Sequence, residues 1–538
     1  MSNAVQRARP DISEMGRNTY DLLVIGGGAT GAGVALDAAS RGLKTAMVER
    51  DDFAAGTSSR STKLIHGGVR YLEKAIKQFD RTQFNLVRDA LKERSVLLKI
   101  APHLARPLPL VTPLYEWIQV PYFMTGLKIY EWLAGSSNLA PSRYVDAKTA
   151  LDRFPMLKPD GLRAGVIYYD GQFDDARMNV ALATTAADQG ADILNHASVE
   201  ALMHENGKVA GATILDHETG QRAHVKARAV INATGPFADA IRRMDDPDIE
   251  PMLTASSGIH IVLDQRFSPP DTGLLIPETE DGRVLFLLPW LGQTLVGTTD
   301  NEARIEPHPQ PTEDDIEYVL RHIRQYFSLP VERSDVKSAW SGLRPLVSDP
   351  NASDTAGLSR DHVIHISDQG LITIAGGKWT TYRKMALDTV DQAIQQAGLS
   401  ASDSQTEHLA LTGGAEYEAF NAGRLQEAYG FDSDTAHHLN TAYGDQAKHV
   451  ADLARDENLS DRIAPDLPNL LAEVVHAVRS EYACSTTDVL ARRTRVAFLD
   501  RDAALQALET VHNLVRLELG WDDERAARDI QEARAYLG

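Results

Sequence analysis

Only one cysteine, Cys484, occurs in 538 residues, so no internal disulfide can form and no Cys-rich metal or iron–sulfur site can be built. That scarcity suits a reducing compartment. Cationic residues are also few: 55 Lys and Arg stand against 75 Asp and Glu, a formal net charge of −20. General nucleic-acid binding is thereby disfavoured, because nothing offsets phosphate repulsion. No apolar run approaches the roughly 18–20 residues that span a bilayer, and residues 1–19 hold no apolar core of a secretory signal. Any membrane contact is expected to be peripheral. Neither an EF-hand loop nor the P-loop pattern GxxxxGK[ST] is found, and no metal site is expected. What remains is an ordinary globular composition, 43% apolar and 24% charged, in a chain too long for one core. Two or three domains are expected.

The most informative stretch runs from Tyr20 to Glu49. Apolar residues Leu22-Leu23-Val24-Ile25 lead into Gly26-x-Gly28-x-x-Gly31, an alanine-rich segment follows to Arg41, and Thr45-Ala46-Met47-Val48 ends on Glu49. Strand, glycine turn, helix, strand and acid make the βαβ unit that binds a dinucleotide. Gly26 allows the tight turn, Gly28 lets the backbone approach a pyrophosphate, and Gly31 lets helix and strand pack closely. The helix N-terminus offers unpaired N–H groups and a positive dipole end. Glu49 would accept hydrogen bonds from the adenosine ribose.

Next comes a Ser- and Gly-rich loop, Gly56-Thr57-Ser58-Ser59, then Ser61 to Gly68 and Val69-Arg70-Tyr71. Composition alone reads as a surface connection; its place after an acid-terminated second strand lets hydroxyls and N–H groups reach phosphates and a flavin ring. With these residues on the page, IGGGATGAGVALDAASRG followed by GTSSRSTKLIHGGVRYLE resembles the FAD-dependent, quinone-linked glycerol-3-phosphate dehydrogenases, within the D-amino-acid-oxidase-like flavoproteins.

Later segments fit that resemblance. Residues 79–104 show helical spacing, broken by Pro102, Pro107, Pro109 and Pro113. Leu114 to Leu133 is aromatic and apolar. It reads either as a helix buried against the substrate domain or as an interfacial segment with Trp117, Tyr122, Tyr130 and Trp132 at headgroup level; Pro121 and Gly126 interrupt it. Ile167 to Arg177 reads as a polar turn capping a helix from Met178 to Asp188, with the acids and Arg177 of DARMN as capping residues. Ala229 to Ile231 runs into Asn232-Ala233-Thr234-Gly235, a second signature that favours FAD over NAD. Short strands from Pro251 to Gly342 suit a sheet roofing the flavin. His260 alternates with Ile259 and Ile261, so it faces away from them. Arg344 lies in a turn between Gly342 and Pro345, Arg360-Asp361 precede a strand, and Gly376-Gly377-Lys378 lies between strand and helix. Beyond about residue 400 the spacing is helical throughout, predicting four to six helices, with Arg492-Arg493 and the acidic faces solvated.

The expected fold class is therefore α/β: a Rossmann-like FAD-binding domain (19–100, 145–250 and 345–400), a mixed or antiparallel-sheet substrate domain (101–144 and 251–344), and an all-helical C-terminal domain (405–538). The resemblance implies that FAD meets Gly26, Gly28, Ala29, Thr30 and Gly31 of the turn, and Glu49 and Arg50 after it. It further implies Thr57, Ser58, Ser59, Thr62, Lys63, Leu64, His66, Gly67 and Gly68 of the loop, with Val199 beside the adenine. Ala233, Thr234, Gly235 and Arg344 complete it with Gly376, Gly377, Lys378, Trp379 and Thr380.

Oxidation of sn-glycerol 3-phosphate to dihydroxyacetone phosphate is the implied reaction, with electrons passed to ubiquinone or menaquinone. A phosphomonoester needs fixed cations, and Arg70, Arg344 and Lys378 are the candidates, with Tyr71 as hydroxyl donor. His260 is the candidate general base, on the premise that its pKa lies near working pH, and Arg344 would also stabilise the developing alkoxide. Peripheral attachment to the cytoplasmic face of the inner membrane follows from the resemblance alone, which also allows a homodimer. Three rivals stay open: an oxidase of the same substrate that yields peroxide, an amine or amino-acid oxidase on the same scaffold, and a flavoprotein-like binding module without catalysis.

Overall fold

The computed structural model describes residues 6–68, 81–280, 282–347 and 362–538, with backbone only at 81–83. Along the chain come β1 (Thr19–Ile25), β2 (Thr45–Val48), β3 (Leu64–Ile65), β4 (Ala105–Leu114), β5 (Arg143–Asp146), β6 (Ala164–Phe173), β7 (Asp192–Leu194), β8 (Ala197–Glu205), β9 (Lys208–Asp216) and β10 (Arg222–Asn232). There follow β11 (Leu253–Leu263), β12 (Gly273–Ile276), β13 (Leu285–Trp290), β14 (Gln293–Gly297), β15 (Asn301–Ala303), β16 (Val336–Val347), β17 (His362–Ile366) and β18 (Ile372–Gly376).

The first sheet runs β17-β18-β10-β1-β2-β7, with β9 and β8 extending from β10. Its centre, β18-β10-β1-β2-β7, is parallel. Leu22 to Ile25 and Thr45 to Val48 are buried on both sides, as parallel strands covered on two faces must be. Helices Ala29–Ser40, Asp175–Asp188 and Tyr382–Ala397 cover one face through a shared apolar core; Ile12, Met15 and the β8–β9 ribbon cover the other.

The second sheet is mixed, in the order β15-β11-β14-β13-β12-β4-β6-β3, with β16 paired to β11 and β5 to β6. It takes in Leu64–Ile65 and Ala164–Phe173, which the expected division left with the dinucleotide unit. Ile167 to Phe173 is thus strand rather than polar turn: β6 forms a ten-residue antiparallel ladder with the proline-bearing β4, a partner some sixty residues upstream that no local pattern announces. The Leu114–Leu133 segment is divided. Leu114 ends β4, and helix Gln119–Ala134 buries Leu127, Tyr130 and Ala134 while leaving Trp117, Ile118, Tyr122 and Trp132 exposed. Tyr130 follows the buried-helix reading rather than the interfacial one, because its hydroxyl donates to Asp170 and accepts from Gly67 N–H.

The C-terminal region is helical, but Arg492 and Arg493 are not solvated. Arg492 and Arg493 end a π-helical turn (Asp488–Arg493) and are buried. Both reach Asp52, at 2.6 Å each, in the loop after the dinucleotide acid. Burial of such cations is tolerated only when they are paired, and the pairing joins segments 440 residues apart. DARMN is corrected likewise. Asp174 does cap the helix Asp175–Asp188, but Arg177 forms a bidentate pair with Glu481 of the helical region, at 2.7 Å on each oxygen. Asp52→Ala removes the carboxylate that Arg492 and Arg493 share and is expected to cost about 3–5 kcal/mol. Urea unfolding measures it, and an unchanged midpoint would show that these pairs contribute no net stability.

Candidate active site

Gly26 has φ +110°, and a Cβ there would lie 2.6 Å from Ala233 O; a Cβ on Gly31 would lie 1.8 Å from Gly26 O. Only glycine lets the turn, the Ala29–Ser40 helix and the Ala233-Thr234-Gly235 signature close on one another. Thr30 lies in the first turn of that helix, whose N-cap is Gly28. Ala29 N–H, at the same N-terminus, donates to Ser58 Oγ at 2.9 Å, so the Thr57–Ser59 turn lies across the positive end of the helix. Glu49 is half-buried and accepts from Gly27 N–H at 2.6 Å and Asp51 N–H at 2.9 Å. Burial and the nearby Asp51 charge push its carboxyl above the usual range despite those bonds. Arg50 lies over the Phe237 ring at 4.9 Å, which brings the end of β2 to a residue two places beyond Gly235. Val199 lies on β8 against the outer apolar cluster, and this strand starts at Glu49: Ala197 N–H donates to Glu49 O at 2.8 Å.

The Thr57–Ser59 turn also joins the two sheets. Thr57 Oγ1 donates to Leu343 O at 2.6 Å and Trp379 Nε1 donates to Ser58 O at 2.9 Å. Arg344 and Lys378 are chain neighbours of those partners, so one short turn brings both towards the nucleotide cradle. His66 N–H donates to Thr380 Oγ1 at 3.2 Å, adding the β3 segment. Gly376 and Gly377, each at φ +77°, and Gly68, at φ +82°, make the bends that these approaches need. Leu64 pairs with Gln172 in the second sheet. Arg70, Tyr71, Arg360 and Asp361 lie outside the described residues.

His260, on β11, is buried and stacks on Trp340 of β16, with ring centroids 5.7 Å apart at 18°. On its other side only Gly297 leaves room, since a Cβ there would come within 2.1 Å of the imidazole. Thr62 Oγ1 lies 2.9 Å from His260 Nε2. The premise of an ordinary histidine pKa is corrected: burial first, then the Lys63 and Arg344 cations, hold it well below the usual range, so the ring is neutral. Arg344 spreads its guanidinium over Thr298 Oγ1 (3.0 Å), Thr299 O (2.9 Å) and Asp300 (3.3 Å), and it folds into the space that Gly258 leaves open. His260 and Arg344 therefore share one face of the β11–β16 pair.

Several contributing residues escaped the sequence reading. Asn179 donates to Gly27 O at 2.8 Å and steadies the glycine turn. Asp175 accepts from Ser61 N–H, Ser61 Oγ and Lys63 Nζ, so Lys63 directs its ammonium to a carboxylate rather than to a phosphate. Arg495 was missed with Arg492 and Arg493. The available signal was their flanks: Val489-Leu490-Ala491 before and Val496-Ala497-Phe498-Leu499 after, apolar on both sides as an exposed face is not.

Residues 21–383 match the family of FAD dependent oxidoreductases, which sets the class of this fold and site, and residues 404–526 match the C-terminal domain of alpha-glycerophosphate oxidase. The chain is 50% identical to a mitochondrial glycerol-3-phosphate dehydrogenase of Macaca fascicularis, over 96% of this chain and 73% of that one. It is 48% identical to a mitochondrial counterpart of Arabidopsis thaliana, over 98% and 87%. The crystal structure of the Bacillus halodurans glycerol-3-phosphate dehydrogenase complexed with FAD matches with a TM-score of 0.79 at 33% identity, covering 98% of this chain and 96% of that one. The chain belongs to the FAD-dependent glycerol-3-phosphate dehydrogenase family. FAD is its cofactor, and the glycine cradle, half-buried Glu49 and helix N-terminus under Ser58 fit that group.

Proposed function

We propose that this protein oxidises sn-glycerol 3-phosphate at C2 to dihydroxyacetone phosphate and passes the electrons to a membrane ubiquinone or menaquinone. The observation that carries the reading is a neutral, buried imidazole, His260, on the same strand-pair face as the Arg344 guanidinium and tied by Thr62 to the flavin loop. Bound FAD supplies a hydride acceptor at N5 that releases electrons singly, as quinone reduction requires.

The chain's own groups do the rest. Thr62 is partly exposed whereas His260 is buried, so Thr62 is assigned the direct contact with substrate. It receives the C2 hydroxyl proton while giving its own to His260 Nε2. Arg344 stabilises the developing alkoxide and, with Lys378, is assigned to the phosphate; Arg70 and Tyr71, outside the described residues, are the further candidates from the sequence. Two or more cations assigned to one substrate fit a phosphomonoester better than an amino acid, which would want one arginine and an apolar pocket.

Anaerobic addition of glycerol 3-phosphate to the purified protein is expected to bleach the visible flavin band, whereas glycerol leaves it unchanged. A short-chain quinone is then expected to restore it, with little peroxide formed in air. Persistent colour would overturn the substrate, and stoichiometric peroxide would point to the oxidase.

Among the described residues no helix is long and apolar enough to cross a membrane. We place the protein peripherally on the cytoplasmic face of the inner membrane. In support, Trp117 (61% exposed), Ile118 (74%), Tyr122 (51%) and Trp132 (76%) line the Gln119–Ala134 helix and its entry, where aromatic rings suit a headgroup layer. Replacing Trp117 and Trp132 together by Glu is expected to weaken binding to anionic lipid vesicles about tenfold or more, with turnover of a soluble dye retained. Unchanged flotation with vesicles would move the contact elsewhere.

A further inference from the structure

Between the flavin loop and the helical region lies a buried cluster that the proposed chemistry does not use. Lys63 has no exposed surface and has φ +62°. Its ammonium donates to Asp175 Oδ2 at 2.6 Å and Ser59 O at 2.8 Å. Three rings close around it: Trp290 at 5.2 Å, Trp340 at 5.4 Å and Phe498 at 6.0 Å. From the helical region Arg495, buried and at φ +65°, reaches the same two groups, Ser59 O at 3.0 Å and Asp175 Oδ1 at 3.2 Å. Asp175 Oδ2 also accepts from Ser61 N–H at 2.9 Å and Ser61 Oγ at 2.7 Å. Residues 61 and 63 are therefore both tied to one carboxylate, and Thr62 between them has little freedom. Its hydroxyl is the one that meets His260 Nε2. Trp340, one wall of the lysine cage, is also the ring on which His260 stacks.

We propose that Lys63, clamped by Asp175, which Arg495 of the helical region also holds, is a positioning residue for His260: it presents Thr62 to the imidazole and keeps that ring in its proton-accepting form. The inference rests on the reading of His260 as proton acceptor. The charged groups facing the imidazole among the described residues are Lys63 and Arg344, and those facing the ammonium are Asp174, Asp175 and Arg495. Burial, opposed mainly by Asp175, brings the Lys63 ammonium down to about 8, so it is largely charged at neutral pH. A cation near a histidine disfavours the imidazolium, and its removal raises the pKa of the ring. Two parts of the chain far apart in sequence thus converge on one proton-accepting atom.

The experiment compares FAD-loaded, full-length wild type with Lys63→Met and Thr62→Val. NMR of ring-labelled histidine, with His260→Gln to assign the signal, reads the titration directly. In Lys63→Met the His260 titration is expected to rise by about one pH unit, and the acid limb of kcat/KM to rise with it. A lysine serving packing alone would lower stability and leave the titration in place, which overturns the proposal. Should Lys63→Met fail to fold or to hold FAD, Thr62→Val decides, because every charge is kept. Its kcat is expected to fall about tenfold or more, with KM for glycerol 3-phosphate little changed; wild-type kcat would overturn the proposal. Failure of the parent reading looks different, since His260→Gln would then keep wild-type turnover of glycerol 3-phosphate, while the histidine titration stays measurable in wild type.

Discussion

Gly31→Ala is expected to give a colourless protein. The added Cβ would lie 1.8 Å from the carbonyl oxygen of Gly26, and that oxygen belongs to backbone rather than to the far end of a flexible side chain. Neither partner can yield cheaply. Gly31 is in the first turn of the Ala29–Ser40 helix, and Gly26 is held at φ +110° against Ala233 O. The helix would have to withdraw from the end of β1, taking with it the Ala29 N–H that now meets Ser58. Withdrawal opens the anion site at the helix N-terminus and slackens the turn that joins both sheets. Flavin content is expected to fall at least tenfold, an order-of-magnitude figure for a displaced phosphate cradle. The ratio of flavin to protein absorbance measures it. Full retention of FAD would mean that the glycine turn tolerates a shift of more than an ångström, contrary to the close contact described.

Arg344→Lys is expected to leave FAD bound while removing most turnover. Lysine keeps the charge but has no planar fork. In the wild type that fork spans Thr298, Thr299 and Asp300 on one side and the Ser256–Ser257 segment on the other, so the cation is held at one place beside His260. A lysine ammonium would satisfy some of these acceptors and leave the rest unpaired. A loss of about 10²–10³-fold in kcat is the size expected when a fixed donor to a developing oxyanion is removed. Stopped-flow reduction of the flavin by glycerol 3-phosphate isolates the step. Wild-type reduction rates in Arg344→Lys would take this residue out of the chemistry and leave it as an anchor between β11, β14 and β16. Gly258→Ala offers a companion, because its Cβ would meet the guanidinium at 2.1 Å and displace it without changing any charge.

The parts of the site that could be read in advance are those whose cause is local. The Gly26–Gly31 spacing, Glu49 at the end of the next strand and the Ala233-Thr234-Gly235 turn each depend on local backbone geometry, and so does the alternation that turns His260 from Ile259 and Ile261. The ionic groups were misread for the converse reason. Whether Arg177, Arg492 or Arg493 meets water or a carboxylate depends on Glu481 and Asp52, which lie hundreds of residues away in sequence. His260 shows both at once. Its strand face was legible, but its charge state was not, because Lys63, Arg344 and the exclusion of water come from other segments.

By itself the sequence determined the dinucleotide unit, its flavin and the family, since these reside in short motifs whose spacing fits one backbone path. Only the tertiary structure decided that the helical C-terminus reaches into the flavin loop through buried ion pairs, that β3 and β6 join the second sheet, and that Tyr130 faces inward. Burial and charge pairing are properties of what a residue packs against, and periodicity along the chain carries no record of the partner.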